Sequence, residues 1–244
     1  MHTPILRAVQ LVKTYGSTRA LDGVSLDIAA GTSTAIMGAS GSGKTTLLHV
    51  LAGILLPDSG SVSFEGAEVA SMGDRERSRL RRERFGFVFQ QGMLLPELTA
   101  VENVALALML NGAPRREALA PAAQWLAALG LAGLEDRRIG ELSGGQAQRV
   151  AIARAQVTGA GIVFADEPTG ALDSVTSREV IDALLHSTVA QGRTLVMVTH
   201  DPTVAARCQR VVSVRDGRII ADSADAGRRG SAQPVDARQS GAAR

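Results

Sequence analysis

The run Gly38-Ala39-Ser40-Gly41-Ser42-Gly43-Lys44-Thr45 constrains this chain more than any other feature. It follows TSTAIMG (Thr32 to Gly38), which reads as a buried strand, and precedes a helical pattern that begins near Lys44. A strand that passes through a glycine-rich turn into a helix lets several backbone N–H groups point inward around a phosphate chain. The helix adds its positive N-terminal end. In this pattern Lys44 carries a full charge to the β- and γ-phosphates, and the Thr45 hydroxyl is placed for Mg²⁺. A plain glycine turn is the alternative, but a chance match to the pattern comes up only about once in several hundred on composition.

A second acidic element belongs with the first. Ile162-Val163-Phe164-Ala165 ends in Asp166-Glu167, and the carboxyl ends of strands are where α/β sheets place their ligands. Alone, an apolar run ending in two carboxylates is a strand-end turn. Beside a phosphate loop, Asp166 is expected to hold Mg²⁺ and Glu167 to orient and polarise a water.

The rest of the chain supplies the frame. LRAVQLVKTY and GVSLDIAAG alternate as strands of an N-terminal antiparallel element, and Ser61 to Glu68 reads as a further strand. FGFVFQ, GIVFADE and TLVMVTH are buried strands. The segments RERSRLRRER, REVIDALLHSTVAQG and DPTVAARC are helical, and RVVSVRDGRII is a hairpin about Asp216-Gly217. Between these, 91–157 turns alanine- and leucine-rich with helical periodicity. The expected fold is α/β, with a mainly parallel core sheet, an N-terminal antiparallel β element and an inserted α-helical subdomain over about 91–157. One domain is expected over 1–222. The polar stretch 223–244 lacks large apolar side chains and is expected to be disordered.

Composition narrows the partners. No apolar run reaches the ~20 residues of a membrane span, and MHTPILRAVQ lacks a secretory pattern. The chain is therefore expected not to enter a membrane by itself. The single cysteine, Cys208, fits a reducing cytosol and reads as a small, partly buried residue. Net charge is only +2. The arginine cluster from Arg75 to Arg84 is interleaved by Glu76 and Glu83 and has no aromatics for stacking on bases. It reads as a solvated helix face, so no nucleic-acid partner is expected.

Leu142-Ser143-Gly144-Gly145-Gln146, continuing as AQRVAIARA, resembles the signature sequence of ATP-binding-cassette (ABC) ATPases. The order of motifs matches too: phosphate loop, a glutamine after a strand (Gln90), signature, Asp166-Glu167, and a histidine after a final strand (His200). The resemblance runs over about residues 4–222. It implies a P-loop ABC ATPase fold that uses ATP and Mg²⁺. Glu167, His200, Gln90 and Lys44 would be the catalytic residues. Tyr15 resembles the aromatic that stacks on adenine. Gly38 to Thr45, with Thr46, would bind the phosphates, and Thr45, Gln90 and Asp166 the metal.

Ser143 is a preferred N-cap, with Gly144 and Gly145 permitting close approach. The resemblance implies that Ser143, Gly144, Gly145 and Gln146 complete the ATP site of a second copy, and that Asp173 lies in the loop communicating across the dimer. A head-to-tail homodimer sandwiching ATP is the expected assembly. A separate integral membrane permease is the expected partner, with this chain cytoplasmic and peripheral on the inner face of the plasma membrane. LRRERFGFVFQQGMLLPELTAVENVALAL, DEPTGALDS and VTHDP look like the cassettes of lipoprotein-release, macrolide-export and antimicrobial-peptide-resistance systems. A small-molecule importer is the runner-up, and a soluble ABC ATPase without a transport role is the third reading.

Overall fold

The computed structural model describes residues 4–224. Strands β1 (Leu6–Tyr15) and β2 (Thr18–Ile28) pair antiparallel, and β1 also takes β4 (Ser59–Phe64), which pairs β5 (Ala67–Glu68). The stretch from Ser61 to Glu68, expected as one strand, is thus a hairpin. It folds back at Glu65 and Gly66, both at positive φ, just after the buried Val62 and Phe64.

The second sheet has the order β10-β9-β3-β8-β7-β6. Its members are β3 (Ser33–Met37), β6 (Phe85–Phe89), β7 (Ile162–Asp166), β8 (Thr194–Thr199), β9 (Arg210–Arg215) and β10 (Arg218–Asp222). All pairings are parallel except β9 with β10. Between these strands run α1 (Lys44–Leu51), α2 (Asp74–Arg84), α3 (Ala100–Leu110), α4 (Arg115–Ala128), α5 (Gly144–Gln156), α6 (Ser174–Thr188) and α7 (Pro202–Ala205). The helix read over DPTVAARC is only this short α7, closed by turns through Cys208.

Period-two alternation sorts the core into two halves. Val163, Ala165, Leu195 and Met197 face the side covered by α3 to α6. Ile162, Phe164, Val196 and Val198 face α1 and the antiparallel sheet. The aromatic contact Phe64–Phe85–Phe164, with centroids 5.0 and 5.2 Å apart, joins the two sheets. Helix α2 buries no residue and carries the Arg79–Glu83 pair at 2.9 Å. Cys208 is buried, which pushes its thiol up to about 11. Of the tail expected to be disordered, 225–244 lies outside the described residues. Ser223 is placed, its hydroxyl accepting from the Val211 N–H at 3.0 Å.

Register fixes where the chemistry collects. Met37 pairs with Thr199, Val198 with Asp166, and Asp166 with Phe89. The next residues along each strand, Gly38, His200, Glu167 and Gln90, therefore leave the sheet at one edge.

Candidate functional site

At that edge a cleft of about 440 Å³ is lined by Tyr15, Ala20, Ser40, Gly41, Gly43, Lys44, Thr45, Thr46, Gln90, Glu167 and His200. Residues expected from five separate stretches of sequence are thus brought together. Only Ala20, contributed by β2, carried no signal in the sequence.

Gly43 shows why the loop folds this way. It caps α1 at φ 98°, and a Cβ there would sit 2.2 Å from the Ala20 carbonyl oxygen, so only glycine lets the turn rest on β2. No side chain caps α1, which leaves its first N–H groups for a ligand. The Lys44 ammonium, nearly buried, donates to the Ala39 carbonyl at 2.8 Å. The buried Ser42 hydroxyl has no hydrogen-bond partner among the described residues. A donor enclosed by such a loop suits an anionic oxygen.

The acidic pair is split in role by its backbone. Asp166 ends β7, and Thr45 donates its hydroxyl to Oδ1 at 3.2 Å. Burial raises the Asp166 carboxyl pKa above the ordinary value, with the Thr45 bond and nearby His49 and Lys44 opposing. Glu167 follows at φ 48°, in the left-handed region that disfavours residues with a Cβ. Its N–H donates to Val198 O and its carbonyl accepts from Gly170 N, both at 3.0 Å, which fixes the turn. The side chain so directed meets His200, Nδ1 to Oε2 2.7 Å. Gln90 reaches the same place from β6, its amide nitrogen against Gly170.

Tyr15 is half exposed, with the Lys13 ammonium 5.9 Å from its ring centroid. Lys13 is held by Asp58 at 2.7 Å, and Asp58 also accepts from the Thr14 N–H at 2.7 Å. These bonds lower the Asp58 carboxyl below the usual carboxylate range, the Lys13 bond most.

The second group of expected residues lies elsewhere. Ser143 caps α5, accepting from Gln146 N at 3.3 Å while the Gln146 side chain accepts from Ser143 N at 2.9 Å. Asp173 caps α6 through Val175 N and Thr176 N and takes the Thr176 hydroxyl at 2.6 Å, which lowers its pKa. None of Ser143, Gly144, Gly145, Gln146 and Asp173 lines the cleft.

The model for the ABC transporter family matches residues 21–170. A macrolide export ATP-binding/permease protein, MacB, of Paracoccus denitrificans is 48% identical over 90% of this chain and 33% of its own length. A pyoverdine export ATP-binding/permease protein, PvdT, of Pseudomonas putida is 46% identical over 92% of this chain and 35% of its own. The chain therefore spans about a third of each. The ATP-binding cassette MJ0796, solved as a dimer in a post-hydrolysis state with ADP and Pi, is 37% identical with a TM-score of 0.81, covering 89% of this chain and 97% of that one. Among the described residues no helix is long and apolar enough to cross a membrane. The fold, the cleft and these likenesses together make the chain a member of the ABC transporter family.

Proposed function

We propose that two copies assemble head to tail, each completing the other's ATP site, and that hydrolysis in these sites drives an exporter. The observation that carries this is the separation of the site into two groups on one chain. Lys44, Thr45, Gln90, Glu167 and His200 share the cleft, while the capped end of α5 at Ser143 lies outside it. A helix N-terminus with two glycines is an anion site in search of a phosphate, and a second copy would bring one to it.

Within the cleft the division of labour follows from charge. The Lys44 ammonium and the free N–H groups of α1 bind and neutralise the phosphate chain. Glu167 accepts a proton from, and orients, the attacking water, and His200 holds the Glu167 carboxylate in place. Tyr15 offers a ring face to adenine. The hydroxyl of Thr45, the Asp166 carboxylate and the Gln90 amide oxygen form a hard, all-oxygen set suited to Mg²⁺. Among the described residues no cluster of three His, Cys, Asp or Glu side chains could cage a metal alone, which fits an ion that keeps waters and phosphate oxygens. When bound, Mg²⁺ supplies charge stabilisation on the phosphates.

The relatives' names pair an ATP-binding part with a permease, and we take an integral membrane permease as the partner. A groove of about 530 Å³ between α2, β6, α3 and α5, lined by Arg81, Arg82, Phe87, Leu106, Leu110 and Arg154, supports a docking role for that face. The chain would then sit at the cytoplasmic face of the membrane. The deciding experiment uses Glu167→Gln with ATP. Light scattering is expected to give a dimer that dissociates without nucleotide. A monomer under both conditions overturns the sandwich. Membranes of the source cell then identify the partner: an export permease supports the reading, and a many-span uptake permease restores the importer.

A further inference from the structure

Gln90 sits on a loop that is held from behind. After Phe89 the backbone turns sharply, with Gly92 at φ 66° and Met93 at φ 46°, and the Gly92 N–H donates to the Phe89 carbonyl at 2.9 Å. The turn aims consecutive carbonyls at α5. Arg154 on that helix donates from Nη2 to Gly92 O at 2.6 Å and from Nη1 to Met93 O at 2.7 Å. Nearly two turns earlier on α5, the buried Gln148 donates from Nε2 to Phe89 O at 2.9 Å. Both ends of the segment that carries Gln90 are thus bonded to one helix.

The Arg154 guanidinium has no carboxylate partner among the described residues, and burial alone lowers its pKa. What the guanidinium adds is a forked, directional hold. The far end of α5 is the Ser143 cap, eleven residues away and so about 16 Å along the axis.

We propose that Arg154 and Gln148 are positioning residues that clamp the Gln90 loop to α5, so that displacement of the Ser143 end of this helix is passed to the Gln90 side chain in the cleft. The inference rests on the ATPase reading. It makes α5 a rigid rod joining two parts of the site that the single chain keeps apart, and Arg154 the joint at its inner end. Gln90 then has its catalytic position only when α5 is in register, which ties hydrolysis to the docking of a γ-phosphate at Ser143.

The test is steady-state ATP hydrolysis with Mg²⁺ titration on the full chain, comparing Arg154→Met, Arg154→Lys, Gln148→Leu, Gln90→Ala and the double variant Gln90→Ala/Arg154→Met. Arg154→Met is expected to lower kcat about tenfold and raise the Mg²⁺ concentration for half-activity, with KM for ATP within about twofold. Arg154→Lys, which reaches one carbonyl, recovers part of the loss. In the Gln90→Ala background, Arg154→Met should cost less than about twofold, because the residue it positions is gone. Additive losses in the double variant, or unchanged kcat in both Arg154→Met and Gln148→Leu, overturn the clamp. If Arg154→Met does not melt cooperatively, Gln148→Leu carries the same comparison alone. Absence of hydrolysis by the unaltered chain is a different result, and overturns the ATPase reading itself.

Discussion

Nδ1 of His200 lies 2.7 Å from Oε2 of Glu167, a contact between residues 33 positions apart that follow the ends of the adjacent strands β8 and β7. Glu167 is mostly shielded and His200 mostly exposed. Replacing Glu167 by Gln keeps the shape of this contact and removes the basic oxygen. Glu167→Gln is expected to lower kcat by about 100-fold or more while ATP still binds. Radiolabelled phosphate release, read beside equilibrium nucleotide binding, checks both halves of the statement.

His200→Ala removes the ring and leaves Glu167 free to rotate and to be solvated. The loss of kcat should be smaller, about 10- to 100-fold, because the base itself remains. Single-turnover measurements separate this from a change in ATP affinity, which is expected to stay within a few-fold.

Asp166 has a folded-state pKa raised by burial. For a carboxyl raised above its unfolded value, the favourable contribution is present at low pH and is lost as pH rises through the folded value, because the charged form is the one penalised. Without metal, Asp166→Asn should therefore melt a few degrees higher than the unaltered chain at neutral pH, and the difference should shrink toward acid pH. With Mg²⁺ and ATP the order should invert, since Asp166 is the one charged oxygen that the protein's own proposed ligand set offers the ion. Thermal melts across pH, with and without Mg-ATP, test the sign at each step.

Gly145 sits in the first turn of α5 with Thr176 of α6 against it. An added Cβ would lie 2.3 Å from the Thr176 methyl, and the Thr176 hydroxyl is already bonded to Asp173. Gly145→Ala is expected to destabilise the chain by about 1–3 kcal/mol through this overlap. Thr176→Ser removes the methyl and keeps the hydroxyl bond, so it should restore most of the stability in the double variant. Denaturant titration of the four proteins reads the coupling directly.

Much of the site was legible because its chemistry is written in short local runs. A strand, a glycine turn and Lys44-Thr45 report their geometry within a few residues, and so does a strand that ends in Asp166-Glu167. The capping box of Ser143 and Gln146 is equally local. What could not be read is what arrives from a distance. Ala20 enters the cleft because β2 crosses behind Gly43, and Lys13 reaches Asp58 only because β1 and β4 are neighbours. Arg154 looks like any helix arginine until the fold sets Gly92 and Met93 opposite it. The hairpin at Glu65-Gly66 was missed for the opposite reason: the strand after it, Ala67–Glu68, is too short to carry a period.

The placement of β3 between β8 and β9 has a consequence for how the protein is made. Ser33 pairs with Leu195, so a strand near the start of the chain has no neighbour until most of the chain exists. At about 5–20 residues per second, β3 emerges from the ribosome on the order of 10–30 seconds before β8 can join it. During that interval an apolar strand has both edges open, and the nucleotide cannot lend its binding energy to folding. A nascent cassette is thus a natural client for chaperones. Cutting the chain anywhere between β3 and β8 leaves β3 without either of its neighbours and removes His200.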